Sequence, residues 1–271
     1  MIYDQRVVIV MPGYNVERTL ERTCRAVDRR VVDEVILVDD CSHDRTVAIA
    51  KRLGLTCIRH ELNKGYGAAQ KTGYQAALNC GADVVVMLHP DDQYPAEQTS
   101  ELATLIASGQ YDLVLGSRML DGGAIRRGMP RYKYVSNRVW TWWQNQLLGI
   151  RLSEYHTGLR AFSRAILLQL PLLENSDDFL FDNQVLVQAI YFNWRIGEMP
   201  TAARFPDDCS SMSPWRGVWY GLGIVGVTMC YLAQRAGVLH RDIFDPNGQR
   251  FHVRLYAECA SGHAVDCAGN H

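Results

Sequence analysis

The stretch VVVMLHPDDQYP, residues 84–95, begins as an apolar run and ends in a cluster of polar donors and acceptors. Val84 to Leu88 are β-branched or aliphatic on both faces, the pattern of a central parallel strand covered on each side. Pro95 suits the first turn of a following helix, where its missing N–H costs nothing. His89, Asp91, Asp92 and Gln93 therefore fall on a strand-to-helix turn. In open α/β sheets, such turns at the carboxyl ends of strands are where ligands bind.

Working outward, apolar runs at 6–11, 34–39, 55–59, 83–88 and 112–116 predict strands. Amphipathic stretches at 16–29, 44–53, 65–79 and 95–108 predict the helices between them. Such alternation implies right-handed βαβ crossovers, hence an α/β, Rossmann-like, mostly parallel sheet flanked by helices. The second half changes character. An aromatic helix-like stretch, YVSNRVWTWWQNQLLG (134–149), precedes a helix around 178–193 and two short strands near 194–205. The segment 217–234 holds no charge, but its four glycines and its length favour a helix packed on the domain or lying on a membrane over a spanning one. The expected organisation is a domain over 1–210, an apolar helix within 211–240 and a C-terminal tail, 241–271, of the kind that is often disordered.

The 271 residues are 48% hydrophobic and 21% charged with a formal net charge of −1, which suits one large globular domain and argues against nucleic acid as a partner. The first residues carry no basic n-region and no cleavage site, so no secretory signal is expected. Eight scattered cysteines without short-spaced pairs predict reduced thiols and a cytoplasmic setting. Cys259, His263, Cys267 and His271 recur every four residues as a helical zinc face would, but glycines at 262 and 269 oppose a helix, and no zinc site is assigned.

Three more polar turns belong to the same sheet edge: MPGYN (11–15), LVDDCSHDRT (37–46) and NKGYGAAQKTG (63–73). Ser42 or Asp44 suffices to cap the helix after the second, which leaves Asp39 and Asp40 at the strand tip unexplained. A carboxylate there could accept from a base N–H or a ribose hydroxyl. Gly65 and Gly67 would let backbone N–H groups approach a phosphate, although close helix packing explains them equally well. Gln70 occupies the place of a glycine that a P-loop requires, which excludes that motif. In the turn at 89–93, carboxylates beside an imidazole suit a divalent metal, Mg²⁺ or Mn²⁺, with His89 favouring Mn²⁺.

Together VVIVMPGYNVERTL, EVILVDDCSHDRT, NKGYGAAQKTG and MLHPDDQYPAE resemble family 2 glycosyltransferases of the GT-A fold, in particular the dolichyl- and polyprenyl-phosphate sugar transferases and their bacterial relatives. The resemblance covers roughly residues 5–205. It implies a nucleotide pocket lined by Pro12, Tyr14, Asn15, Asp39 and Asp40, with Asp40 against the base and Lys64, Gly65 and Gly67 near base or phosphate. It implies a metal held by Asp91 and Gln93, with His89 in place of the family's first aspartate, as in a bacterial subgroup with a similar His-Pro-Asp turn.

On the acceptor side, Gly116, Ser117 and Arg118 match a glycine–serine–arginine stretch of the lipid-phosphate transferases. Thr157, Gly158 and Arg160 match a Thr/Ser-Gly-Phe-Arg segment. The family's basic residue four places before a serine is absent here: Tyr132 takes that place before Ser136, flanked by Arg131 and Lys133, and either could hold a phosphate. Residues 118–151 carry seven Lys/Arg against the single acid Asp121, beside Trp140, Trp142 and Trp143. Basic residues next to tryptophans suit a membrane interface.

The resulting expectation is an inverting glycosyltransferase that takes a nucleotide-sugar donor and a polyprenyl-phosphate acceptor, with peripheral membrane contact at a cytoplasmic face. Asp91 would hold the metal and Arg118 would meet the acceptor phosphate. A soluble hydroxyl acceptor would instead need a carboxylate base, for which Asp182 is the candidate. A non-catalytic nucleotide- or glycan-binding module is the competing class.

Overall fold

Every position of β1 (Val7–Gly13) is buried, as a strand with apolar residues facing both ways requires. Val8 and Val10 enter one core with Ile36, Tyr74 and Phe181, while Val7, Ile9 and Met11 enter a second with Leu20, Leu102 and Ile106. In this computed structural model, which describes residues 2–205 and 214–253, that two-sided strand is the middle of the fold. The expected boundary at 210/211 and the tail residues Cys259, His263, Cys267 and His271 lie outside the described residues.

The other strands are β2 (Glu34–Asp39), β3 (Thr56–Arg59), β4 (Val84–Met87), β5 (Leu113–Ser117), β6 (Arg160–Ser163) and β7 (Ile196–Pro200). They form one seven-stranded sheet in the order β3-β2-β1-β4-β6-β5-β7. All pairings are parallel except those of β6, which runs antiparallel to β4 and β5. Helices α1 (Leu20–Ala26), α2 (Thr46–Arg52) and α4 (Thr99–Ala107) supply apolar residues to one face. The opposite face takes α3 (Tyr66–Asn79), α6 (Arg164–Gln169), α7 (Phe181–Tyr191), the end of α5 (Arg131–Leu148) and part of α8 (Pro214–Arg235). From β1 the chain passes through α1 to one side, and β4 enters on the other. The crevice at the carboxyl ends of β1 and β4 is therefore the topological switch point where such sheets bind ligands.

Two details differ from the expectation. Instead of two strands near 194–205 there is one, β7, and the antiparallel β6 was not foreseen. Four residues opening with an arginine lack the apolar run that marks a buried strand, yet Arg160 is fully buried. Because β6 is antiparallel, its beginning rather than its end lies at the ligand edge, which brings 157–160 into the crevice.

The first part of 241–271 is packed rather than loose. Phe244 and Phe251 are buried in the core against α7 and α8, and the Gln188 side chain donates to the Ile243 carbonyl at 2.7 Å. Among the described residues, 216–235 is the one helix long and apolar enough to cross a membrane, but Ile224, Val227, Thr228 and Tyr231 are buried against the domain. If residues 242–253 complete the core, Phe244→Ala should cost about 3–5 kcal/mol of stability, read as a lower urea midpoint. An unchanged midpoint would mean that this segment is only laid on the surface.

Candidate active site

The first wall of the crevice is built by loops tied to one another. The Asn15 N–H donates to Ser42 Oγ (2.8 Å) and the His43 N–H donates back to Asn15 Oδ1 (2.9 Å). Val16 and Glu17 donate their N–H groups to Thr46 Oγ1 (2.9 Å) and Asp44 Oδ2 (3.0 Å). Asn15 takes a left-handed φ of 54° to allow this, a conformation asparagine tolerates. Pro12 pairs with Val38 inside the sheet, and Tyr14 is exposed beside it.

The adjacent carboxylates at the tip of β2 do different work. Asp40 Oδ1 accepts from the Lys64 N–H (2.8 Å) and from His60 Nδ1 (2.7 Å), and Oδ2 accepts from the Gly65 N–H (2.9 Å). His60 is in turn fixed by Thr72 Oγ1 at 3.0 Å. Asp40, expected to face a nucleotide base, takes three of the protein's own donors and clamps the 63–65 loop to β2. Asp39 is fully buried; its Oδ2 accepts from the Ser42 N–H and lies 3.4 Å from Arg59 Nε, while Oδ1 has no hydrogen-bond partner among the described residues. A buried acceptor without a donor is costly until a ligand supplies one.

Gly65 and Gly67 answer to packing. A Cβ at Gly65 would collide with the Asp177 carbonyl, and one at Gly67 would lie 2.5 Å from the Ser176 carbonyl. The Gly67 and Ala68 N–H groups both donate to the Asp177 carbonyl, at 2.7 and 3.2 Å. The first turn of α3 is thus capped by the 176–178 loop and not held open for a phosphate, which corrects that expectation. Lys64 remains exposed at the rim.

At the turn after β4, Asp91 Oδ1 accepts from the Gln93 N–H (3.1 Å), and Asp92 pairs with Arg22 (2.6 Å). The second Asp91 oxygen, the Gln93 side chain and His89 Nδ1 have no hydrogen-bond partner among the described residues. His89 Nε2 lies 2.8 Å from the Tyr66 hydroxyl, which donates to Asp182 Oδ2 at 3.0 Å. Gln70 Nε2 donates to the other Asp182 oxygen (3.0 Å), and Gln70 Oε1 accepts from the Tyr74 hydroxyl (2.6 Å). Burial, then the Asp182 charge, pushes the Tyr66 phenol well above its ordinary range, so it stays protonated.

No group of three His, Cys, Asp or Glu side chains with metal-ligand spacing occurs among the described residues. The donors that are present, one carboxylate oxygen, one amide and one imidazole, fit a divalent cation that takes its remaining oxygens from a bound diphosphate and water.

On the far side, Arg118 is not a free cation. Its Nε donates to Glu154 Oε1 (2.8 Å), its backbone N–H to Oε2 (2.7 Å), and its Nη2 to Glu154 and to the His156 carbonyl. Asn137 of α5 donates to the same Glu154 at 2.8 Å. Burial opposes both charges, yet their pairing outweighs it, holding the Glu154 carboxyl below its usual range and the Arg118 guanidinium above. Arg118, expected to meet the acceptor phosphate, is thus paired with Glu154 in this structure. Arg160 is fully buried and donates to the carbonyls of Thr157 (2.9 Å), Asp182 (2.6 Å) and Tyr155 (3.0 Å), making it a brace. Thr157 donates to the Gly116 carbonyl, and the Gly158 N–H donates to the Tyr94 hydroxyl at 2.8 Å. Arg131 and Ser136 are exposed on α5, with Lys133 partly buried between them.

His89, Asp91, Asp182 and 157–160 therefore meet at one edge, whereas Arg131, Lys133 and Ser136 belong to the outer helix α5. Sequence reading missed Tyr66, Glu154 and His156, whose Nδ1 lies 3.0 Å from the Tyr220 hydroxyl of α8. Tyr66 and Glu154 sat inside motifs already singled out, NKGYG and SEYHTG, where only their neighbours drew attention.

Residues 8–170 match the family described as glycosyl transferase family 2. A dolichyl-phosphate hexose transferase of Haloferax volcanii is 30% identical over 78% of this chain and 88% of its own. The polyprenol monophosphomannose synthase of Mycolicibacterium smegmatis is 28% identical over 72% of this chain and 76% of its own. Among solved structures, glucosyl-3-phosphoglycerate synthase from Mycobacterium tuberculosis superimposes with a TM-score of 0.63 at 19% identity, over 88% of this chain and 82% of that one. The same protein has been crystallised with Mn²⁺ and UDP-glucose. The chain belongs to glycosyl transferase family 2 and is a glycosyltransferase of GT-A fold.

Removing one member of a buried ion pair leaves the other uncompensated, so Arg118→Ala should cost about 3–5 kcal/mol of stability. Glu154→Gln in that background should recover part of the loss. A melting temperature unmoved by Arg118→Ala would show that the pair is not holding 118 to 154.

Burial pushes His156 from 6.5 down to about 4, so the folded protein keeps it neutral while the unfolded chain protonates it. Its contribution is full above about 6.5 and is lost progressively as pH falls toward 4. Denaturation between pH 7 and pH 4 should therefore show a smaller loss in His156→Gln than in the wild type. Equal losses would exclude His156 as the source.

Proposed function

We propose that this chain transfers a sugar from a nucleotide-diphosphate donor to a polyprenyl phosphate, with inversion at the anomeric carbon, at the cytoplasmic face of a membrane during glycan or cell-envelope assembly. The observation that carries the acceptor is the outer surface of two packed helices. On α5, Tyr132, Val135, Val139 and Trp142 (63% exposed) stand at helical spacing with Arg131 and Arg138 among them. On α8, which meets α5 where Gly221 packs against Trp140, Trp219 (62% exposed) and Leu222 face outward. Exposed aromatic and aliphatic side chains interleaved with cations suit the headgroup region of an anionic bilayer. The names of the relatives, which pair a sugar with dolichyl or polyprenol phosphate, favour the same acceptor.

In this reading the donor lies across the switch point. Asp40, whose Oδ2 accepts from the Gly65 N–H alone among the described residues, is the carboxylate for a base or ribose donor, and Lys64 is a rim cation for the diphosphate. Asp91, Gln93 and His89 would hold a divalent cation, Mg²⁺ or Mn²⁺, which stabilises negative charge on the departing nucleotide diphosphate. The bond from the anomeric carbon to the diphosphate oxygen breaks as an acceptor phosphate oxygen attacks from the opposite face. That oxygen is already anionic, so no base is needed. Asp182 fits this: Tyr66 and Gln70 already occupy its oxygens, which makes it an orienting group more than a proton acceptor. Arg131, with Lys133 beside it, offers the acceptor phosphate the charge that Arg118 spends on Glu154. Thr157, Gly158 and Arg160 shape the wall between.

A panel of nucleotide sugars assayed with a short-chain polyprenyl phosphate in anionic vesicles tests the reading. Asp91→Ala should lower transfer at least about 100-fold without moving the urea midpoint, since metal stabilisation supplies several kcal/mol. Trp142→Ala combined with Trp219→Ala should weaken vesicle binding and spare nucleotide binding. Transfer to soluble hydroxyl acceptors alone, indifferent to vesicles, would sink the lipid-phosphate acceptor and leave the glycosyltransferase assignment standing.

A further inference from the structure

His89 offers two ring nitrogens, and the structure decides between them. The Tyr66 hydroxyl has one proton and touches three acceptor-capable atoms, Asp182 Oδ2 at 3.0 Å, His89 Nε2 at 2.8 Å and the weakly accepting Met87 sulfur at 3.9 Å. A carboxylate oxygen can only accept, so the phenol proton goes to Asp182. The His89 contact must then run the other way, with Nε2–H donating to the phenol oxygen. The opposite tautomer would turn the Tyr66 proton toward His89 and set its lone pair against the carboxylate, acceptor facing acceptor.

The surroundings hold this arrangement in place. The Tyr66 ring is stacked between His89 (centroids 5.2 Å apart, 18° between planes) and Phe179 (5.2 Å, 23°). Gln70 fixes the second Asp182 oxygen at 3.0 Å, and Arg160 donates to the Asp182 carbonyl at 2.6 Å. Gly158 lies against the Cδ2–Nε2 edge of the imidazole so closely that a Cβ there would overlap it. That edge is turned inward toward Gly158 and Tyr66, and Nδ1 is on the other side of a partly exposed ring. Asp91 follows two residues later with an oxygen that has no partner among the described residues.

We propose that Tyr66, oriented by Asp182, is a positioning residue that fixes His89 as its Nε2–H tautomer and leaves Nδ1 as the nitrogen presented to a divalent cation beside Asp91. The cation rests on the glycosyltransferase reading above; the tautomer does not. Groups that orient a metal-bound imidazole through its other nitrogen typically change metal affinity 10–100-fold when removed.

Two measurements on the full chain separate these parts. Long-range ¹⁵N–¹H correlation of the labelled, metal-free protein at neutral pH, with His89 assigned by its loss in His89→Gln, should show the Nε2–H form. Finding the Nδ1–H form would overturn the proposal without touching the assigned activity. Mn²⁺ titration followed by water proton relaxation should then give affinity at least about tenfold weaker in Tyr66→Phe. In a His89→Gln background, Tyr66→Phe should have no further effect, because the two side chains act as one unit. Equal Mn²⁺ affinity in wild type and Tyr66→Phe, or an effect that persists without His89, would also overturn it. Since the wild-type tautomer is read without any substitution, a Tyr66→Phe chain that failed to fold would leave the first measurement decisive.

Discussion

The site depends first on the Asp40 carboxylate. Three donors converge on it, the Lys64 and Gly65 N–H groups and His60, within 2.7–2.9 Å. Charge-assisted bonds of this kind are about twice as strong as neutral ones, and here they join the end of β2 to the start of α3. Once the 63–65 loop is fixed, Tyr66 must begin α3 where it does, and the phenol reaches His89 and Asp182. One carboxylate thus connects the first half of the sheet edge to the second. Its neighbour Asp39 keeps one oxygen without a donor among the described residues. Both side chains serve the wall first, Asp40 through three donors and the fully buried Asp39 through the Ser42 N–H.

A similar economy governs the buried cations. Arg160 is fully buried with no carboxylate partner among the described residues, but three main-chain carbonyls take its donors. The carbonyl of Asp182 is one of them, so the same guanidinium that braces the 155–160 loop also fixes the residue that orients Tyr66. Arg118 takes the other solution and pairs with Glu154. A buried ion pair is no guarantee of net stability, but it is a strong constraint on geometry, because either partner alone would be an uncompensated charge. These two arginines therefore set the shape of the acceptor side more than its charge.

Legibility in the sequence followed the physical range of each signal. The parallel strands could be read because burial on both faces leaves a continuous apolar run, as in residues 84–88. The short β6 could not, because its arginine is satisfied by carbonyls that only the folded chain brings near. Polar turns revealed where the site is, since an acid at a strand tip has few local explanations. They did not reveal what each side chain does there. Asp39 and Asp40 look equivalent in sequence, and the difference lies in partners about 20 residues away, His60, Lys64 and Gly65. Gly65 and Gly67 look like a phosphate cradle until Asp40 is seen to hold the N–H of the first, and the 176–178 loop, more than 100 residues on, the N–H of the second. Non-local pairing leaves no local pattern, so residue roles were less readable than the fold.

The same distribution of partners bears on the chemistry. A hydroxyl acceptor would need a carboxylate free to take a proton, placed where the acceptor enters. Glu154 is committed to Arg118 and Asn137, Asp182 to Tyr66 and Gln70, and Asp92 to Arg22. Asp91 has an oxygen without a partner among the described residues, and in the proposed reading that oxygen goes to a cation on the donor. The carboxylates around the crevice are thus spent on structure or on the donor. An acceptor that arrives already ionised asks for none of them. It asks instead for exposed positive charge near an apolar surface, and the outer face of α5 supplies both, with Arg131 and Arg138 beside Val135 and Trp142. A phosphate on a lipid is the acceptor that this allocation of charges favours.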